Sequence, residues 1–117
     1  MQKSVDQKEI AWLLAEKYKG TAGPDFDADC ARLAAGEPLA YVIGWQPFLG
    51  LTIHLDSHPL IPRPETEWWL EQLIEQKKKT SLASNGTAVP RFLDLCAGSG
   101  AVGCAALKYL PNDEIYF

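Results

Sequence analysis

The run Phe92-Leu93-Asp94-Leu95-Cys96-Ala97-Gly98-Ser99-Gly100-Ala101-Val102-Gly103-Cys104-Ala105-Ala106-Leu107 decides the fold. An apolar strand, Phe92 to Leu95, meets a turn of small residues. An alanine-rich helix follows to about Leu110. Pro111-Asn112-Asp113 turns the chain, and Glu114-Ile115-Tyr116-Phe117 begins another strand. Strand, helix and strand joined by short turns form a βαβ unit, whose strands pair in parallel. Parallel sheets are buried on both faces. Two strands and one helix cannot cover both, so the expectation is an incomplete α/β domain, with more sheet following in the parent protein.

Upstream, residues 80–90 are rich in Ser, Thr, Ala, Asn and Gly and read as a linker. They include Asn85-Gly86-Thr87, formally a glycosylation sequon, read here as a flexible turn. The linker divides the chain into 1–79 and 91–117. In the first part a helix is expected from about Ser4 to Lys19. Ser4 and Gln7 have capping-box spacing, and Ile10, Leu13, Leu14 and Tyr18 make one apolar stripe. A second helix is expected from Pro24 or Asp25 to Ala35, with Phe26, Cys30, Leu33 and Ala34 on one side. From Leu39 the texture changes to Tyr41-Val42-Ile43, β-branched and aromatic, before Gly44. Trp45 to Phe48 and Leu51 to Leu55 flank Leu49-Gly50 and predict a β-hairpin, with Pro47 confining its strand to an edge. A connecting helix begins at Pro64 or Thr66 and runs to about Lys78. Its expected buried stripe is Trp69, Leu70, Leu73 and Ile74, and Trp12 is likewise placed on a helix stripe. Lys77-Lys78-Lys79 close its negative end.

Composition narrows the function classes. Of 117 residues, 47% are hydrophobic and 22% charged, and the formal net charge is −4 from 11 basic and 15 acidic residues. A collagenous or wholly disordered chain is excluded. No basic surplus drives binding to a phosphate backbone, so no direct nucleic-acid contact is expected. No apolar run approaches the roughly 20 residues that span a bilayer, and residues 1–6 lack the apolar core of a secretory signal. Three cysteines without a CxxC pair fit a reducing cytosol better than a disulfide framework. His54 and His58 have no partner at metal-ligand or catalytic spacing, and both are placed on the hairpin's exposed face and loop.

Two segments carry chemistry. In the first, Gly98, Gly100 and Gly103 stand at GxGxxG spacing where a strand becomes a helix. Small residues there admit a ligand close to the backbone, beside free helix amides. Nicotinamide, flavin and adenosylmethionine sites share this unit. Asp94, at the strand's end, would repel a pyrophosphate but suits the cationic methionyl end of S-adenosylmethionine. A tight turn with no ligand is the bland alternative. In the second, Pro62-Arg63-Pro64-Glu65-Thr66-Glu67 holds one guanidinium and two carboxylates on a stiff backbone. On physics alone that is an ordinary helix start with an Arg–Glu ion pair.

Together, Gly36-Glu37-Pro38-Leu39-Ala40-Tyr41-Val42-Ile43-Gly44 running through Phe48 to Leu60-Ile61-Pro62-Arg63-Pro64-Glu65-Thr66-Glu67, and Phe92 to Ala101, resemble the HemK/PrmC family of protein-(glutamine-N5) methyltransferases that act on peptide chain release factors. The glycine turn alone would fit almost any class I methyltransferase, and the Ile-Pro-Arg-Pro-Glu-Thr-Glu run is far more specific. The resemblance implies a small helical N-terminal domain, a β-hairpin connection, and the first βαβ unit of a Rossmann-like class I methyltransferase domain. It implies S-adenosyl-L-methionine as cofactor at Asp94, Cys96, Ala97, Gly98, Ser99 and Gly100. Arg63, Pro64, Glu65, Thr66 and Glu67 match the motif near the substrate's entry, the substrate being the glutamine of a release factor's Gly-Gly-Gln loop. The family orients that amide with Asn-Pro-Pro-Tyr, which does not occur here, so no catalytic residue is assigned and this polypeptide alone is expected to be inactive. Cys96 departs from the family's usual glycine, so its backbone must manage without glycine's φ freedom. A sister family methylates a ribosomal protein glutamine. Two other readings remain: a non-catalytic module that docks a translation factor, and a nicotinamide or flavin enzyme.

Overall fold

The computed structural model describes residues 5–83, 86 and 88–117. The element order is α1 (Gln7–Glu16), α2 (Phe26–Ala34), α3 (Leu39–Ile43), β1 (Trp45–Phe48), β2 (Leu51–His54), α4 (Pro64–Ala83), β3 (Arg91–Leu93), α5 (Ala101–Tyr109) and β4 (Glu114–Tyr116). The chain forms two compact units. One contains the described residues up to Trp45 together with Leu55–His58, and the other contains Gln46–His54 and Pro59–Phe117. The hairpin and the connecting helix, expected with the N-terminal helices, thus cluster with the βαβ segment.

In the helical unit, Leu13, Leu33 and Val42 are buried and pack with Val5, Tyr18, Phe26, Cys30, Leu39 and Ile43. Helix α1 begins later than expected. Asp6 is its N-cap, with its carboxylate accepting from Lys8 N at 3.0 Å. Ser4, the expected cap, lies outside the described residues. Despite their β-branched texture, Tyr41–Ile43 belong to helix α3, because burying Val42 against α1 and α2 outweighs a weak local preference. Trp12 is exposed, not on the buried stripe.

A buried carboxylate ties this unit together. Asp29 accepts from Lys17 Nζ at 2.6 Å, Tyr18 Oη at 2.6 Å and Arg32 at 3.0 Å. Lys17 Nζ also donates to Val42 O at 2.9 Å. Arg32 grips Glu37 through two bonds of 2.8 and 2.7 Å. Burial alone would raise the Asp29 pKa, but the bonds from Lys17, Tyr18 and Arg32 outweigh it and hold it below the ordinary value. The same bond, with burial, pushes the Tyr18 phenol up to about 12.

In the second unit, the two-residue link Leu49-Gly50 has positive φ at both positions, as a type I′ hairpin turn requires. Helix α4 starts at Pro64, where a missing N–H costs nothing. It continues past Lys78 to Ala83, so Lys77–Lys79 lie inside it rather than at its end. Leu70 and Ile74, four residues apart, are buried and each contributes about 2 kcal/mol of apolar burial. Trp69, expected beside them, is exposed. β3 and β4 pair in parallel, Arg91 to Glu114, Phe92 to Ile115 and Leu93 to Tyr116. Helix α5 crosses between them, so the expected βαβ unit is present. The Asn85-Gly86-Thr87 sequence has Asn85 and Thr87 outside the described residues.

The Asp29 network generates a stability prediction. A carboxylate whose folded pKa is depressed contributes its stability above the unfolded value and loses it as pH falls through the folded value. Acid unfolding followed by circular dichroism is expected to show stability falling below an ordinary carboxylate pKa of 3.8. Asp29→Asn should cost about 2 kcal/mol at neutral pH and flatten that acid limb.

Candidate functional site

The glycine turn lies between β3 and α5, at the carboxyl end of both parallel strands. Asp94 N donates to Tyr116 O at 2.8 Å, which extends the parallel pairing to the last rung before the turn. The Asp94 side chain is buried, and its Oδ2 accepts from Gly103 N at 2.9 Å. The carboxylate therefore caps the first turn of α5, satisfying one of the amides that a helix start leaves unpaired. Gly100 is the residue before the helix, with φ +75°, and its N–H donates to Ala97 O at 2.9 Å. Cys96 and Gly98 are exposed, Ala97, Ser99 and Gly100 half-buried. Nothing but the Cys96 carbonyl oxygen comes within 4 Å of where a Gly98 Cβ would stand.

Cys96 adopts φ +57°. The turn needs a left-handed residue there and a non-glycine supplies it, at a cost of about 1 kcal/mol. The left-handed conformation is thus adopted here by a residue that is not glycine. Gly103, the third glycine, lies under a ring. A Cβ placed there would fall against Phe117, with Cδ1 and Cζ only 2.8 Å away.

Arg63 to Glu67 form the start of α4 in the same compact unit. Arg63 O accepts from Thr66 N at 3.0 Å. The expected Arg–Glu ion pair is absent: among the described residues Arg63 has no ion pair. Glu67 instead accepts from Leu49 N at 2.7 Å. Leu49 is held in the left-handed region (φ +45°), and its carbonyl accepts from Tyr109 Oη at 2.7 Å. Lys108 Nζ donates to Gly50 O at 3.0 Å. Residues of α4 and α5 thus clamp the strained hairpin turn, a role for Glu67 and Tyr109 that periodicity does not reveal. Arg63 to Glu67 and Cys96 to Gly100 are held by separate sets of bonds. Gln46 Nε2 fixes the proline segment by donating to Pro62 O at 2.6 Å.

A cavity of about 460 Å³ lies elsewhere, lined by Lys78, Tyr109, Asn112 and Asp113 among others. It opens at the amino ends of β3 and β4, where α/β sheets do not ordinarily take ligands. Lys77 Nζ, 2.9 Å from Asp113 Oδ2, neutralises that carboxylate. Among the described residues no group of His, Cys, Asp or Glu is placed to hold a metal, and no helix is long and apolar enough to cross a membrane.

Fold and site define an α/β protein with a glycine turn at the carboxyl end of a parallel strand. Comparison with known proteins narrows this. The chain is 37% identical over 106 residues to a release factor glutamine methyltransferase of Bifidobacterium longum, covering 89% of this chain and 34% of that protein. It is 42% identical over 80 residues to the enzyme of that name from Thermodesulfovibrio yellowstonii (68% and 27%), and 37% identical over 109 residues to that from Bordetella pertussis (90% and 37%). No protein-family model matches. The chain belongs to the HemK/PrmC family of release factor glutamine methyltransferases. It spans about a third of the length of the curated relatives it matches.

The two strained turns give opposite mutational signs. Cys96→Gly is expected to raise stability by about 0.5–1 kcal/mol, because relief of left-handed strain exceeds the added unfolded-state entropy. Glu67→Ala is expected to lower it by about 1–2 kcal/mol by stripping the Leu49 N–H of its partner. Urea denaturation of the purified chain reads both.

Proposed function

We propose that the protein to which this chain contributes about a third of the family's length is a methyltransferase of peptide chain release factors. It transfers a methyl group from S-adenosyl-L-methionine to the side-chain amide nitrogen of glutamine in the Gly-Gly-Gln loop. The observation that carries this reading is the open glycine turn at the carboxyl end of β3, in a chain of this family.

The residues present fit that cofactor. The backbone at Gly98 is unobstructed, and the exposed Cys96 and Gly98 flank half-buried Ala97. Asp94, Cys96, Ala97, Gly98, Ser99 and Gly100 would hold it. When bound, the cofactor would supply an electrophilic sulfonium methyl: the carbon–sulfur bonding pair stays on sulfur, leaving neutral S-adenosylhomocysteine, and the amide nitrogen that gains the methyl gives up a proton. What this chain's residues do is bind and orient. Asp94 places negative charge at the strand end while fixing α5 through Gly103. Arg63 to Glu67, on a stiff backbone and with a guanidinium that has no ion pair among the described residues, offer polar groups to the substrate loop.

An amide nitrogen is a poor nucleophile, so rate depends on orientation of the amide and on stabilising its developing charge. The family's Asn-Pro-Pro-Tyr does that, and it does not occur in these 117 residues. The chain alone is therefore a binding portion and not a complete catalyst, acting in the cytoplasm beside the translation machinery. A second reading, a non-catalytic module that docks a translation factor, is favoured by the exposed Trp12, Trp68 and Trp69.

Mass spectrometry of release factor incubated with S-adenosylmethionine tests the proposal. The full-length protein is expected to add one methyl to the Gly-Gly-Gln peptide, and the 117-residue chain none. Capture of release factor by the chain equally well in wild-type and glycine-turn variants, with no methylation by the full-length protein, would instead support the docking module. Methylation of a ribosomal protein alone would move the substrate to the sister family.

A further inference from the structure

Gly103 is the point at which all three elements of the βαβ unit meet. Its N–H is bonded to Asp94, at the end of β3. Its α-carbon faces the ring of Phe117, the residue that follows β4, closely enough that no side chain fits between them. The same ring lies 3.8 Å from where a Cβ on Gly100 would stand. One side of the phenyl group is therefore pressed on the first turn of α5, yet 60% of Phe117 remains exposed. Its contacts fall on the helix turn that follows Cys96 to Gly100.

We propose that Phe117 and Gly103 are a size-matched pair that sets the position of the first turn of α5, making Phe117 a positioning residue for the ligand of the glycine turn. The inference rests on the cofactor reading above. Asp94 pulls the turn toward β3 through one hydrogen bond, and the Phe117 ring bears on the same residue from β4. A ring opposite glycine allows the helix to approach the end of β4 more closely than any larger residue would. Helix–strand packing of this kind is the ordinary use of a third glycine in such turns. Removing the ring frees the turn on one side, and adding a methyl at residue 103 pushes it from the other. Either change displaces the amides that face the ligand.

Two measurements test this. Thermal unfolding of Gly103→Ala, Phe117→Ala and the double variant reads the pair. The double variant is expected to be more stable than Gly103→Ala alone, since the clash is gone; additive losses would overturn the pairing. Calorimetric titration of the full-length protein with S-adenosylhomocysteine reads the positioning role. Phe117→Ala, shown folded by circular dichroism, is expected to bind about fivefold more weakly, with Phe117→Leu within about twofold of wild type. Equal affinity in wild type and Phe117→Ala would overturn the role. A full-length wild type that shows the coupled stabilities but binds no S-adenosylhomocysteine would instead defeat the cofactor reading, and with it the ligand-positioning role, leaving a packing pair.

Discussion

The N–H of Gly103 ties the start of helix α5 to the end of β3 and so fixes the carboxyl end of the βαβ unit. Parallel strands cannot be joined by a tight turn, so a helix must leave one strand and return the chain to the other. The first turn of such a helix carries unpaired amides. Here one of them is satisfied by Asp94 at 2.9 Å, so the carboxylate at the strand's end and the helix start are fixed to each other. The loop between them, Leu95 to Gly100, inherits its shape from that bond. Its left-handed residues, Cys96, Gly98 and Gly100, follow because six residues must reverse direction within that span. The bond also holds the carboxylate rigidly at the end of β3.

The same logic recurs in the helical unit and at the hairpin. Asp29 is buried and receives bonds from Lys17 and Tyr18, twelve and eleven residues earlier, and from Arg32, three residues later. The strained Leu49-Gly50 turn is pinned by Glu67, Lys108 and Tyr109. In each case a few charged or hydroxyl groups fix backbone that apolar packing alone would leave loose. The short helices and two-stranded sheets of this chain bury modest apolar surface, so such polar anchors carry an unusual share of its order.

What could be read from the residues follows from their period. The βαβ unit was legible because Phe92 to Leu95 and Ile115 to Phe117 bracket an alanine-rich stretch of helical length. The hairpin was legible from Leu51, Ile53 and Leu55 alternating with polar neighbours. Helix α3 was not, because five residues give no period and Tyr41-Val42-Ile43 has strand composition. The exposure of Trp12 and Trp69 was not legible either, since a stripe predicts which residues share a face and not how far that face is covered. At the site, the position of the glycine turn and of Asp94 came from the sequence. The Asp94–Gly103 bond, the Phe117–Gly103 contact and the use of Glu67 on the hairpin did not. Each joins residues whose spacing carries no periodic signal, from nine positions apart to eighteen.

We propose that the glycine turn, and not the cavity at the other end of the strands, receives a sulfonium-bearing nucleoside in the full-length protein. Nuclear magnetic resonance of the isotope-labelled full-length protein during titration with S-adenosylmethionine tests it most directly. The account predicts saturable shifts of the amides from Asp94 to Gly103, with those of Lys78, Tyr109 and Asn112 unmoved. Shifts confined to Lys78, Tyr109 and Asn112, or none from Asp94 to Gly103 at saturating ligand, would contradict it.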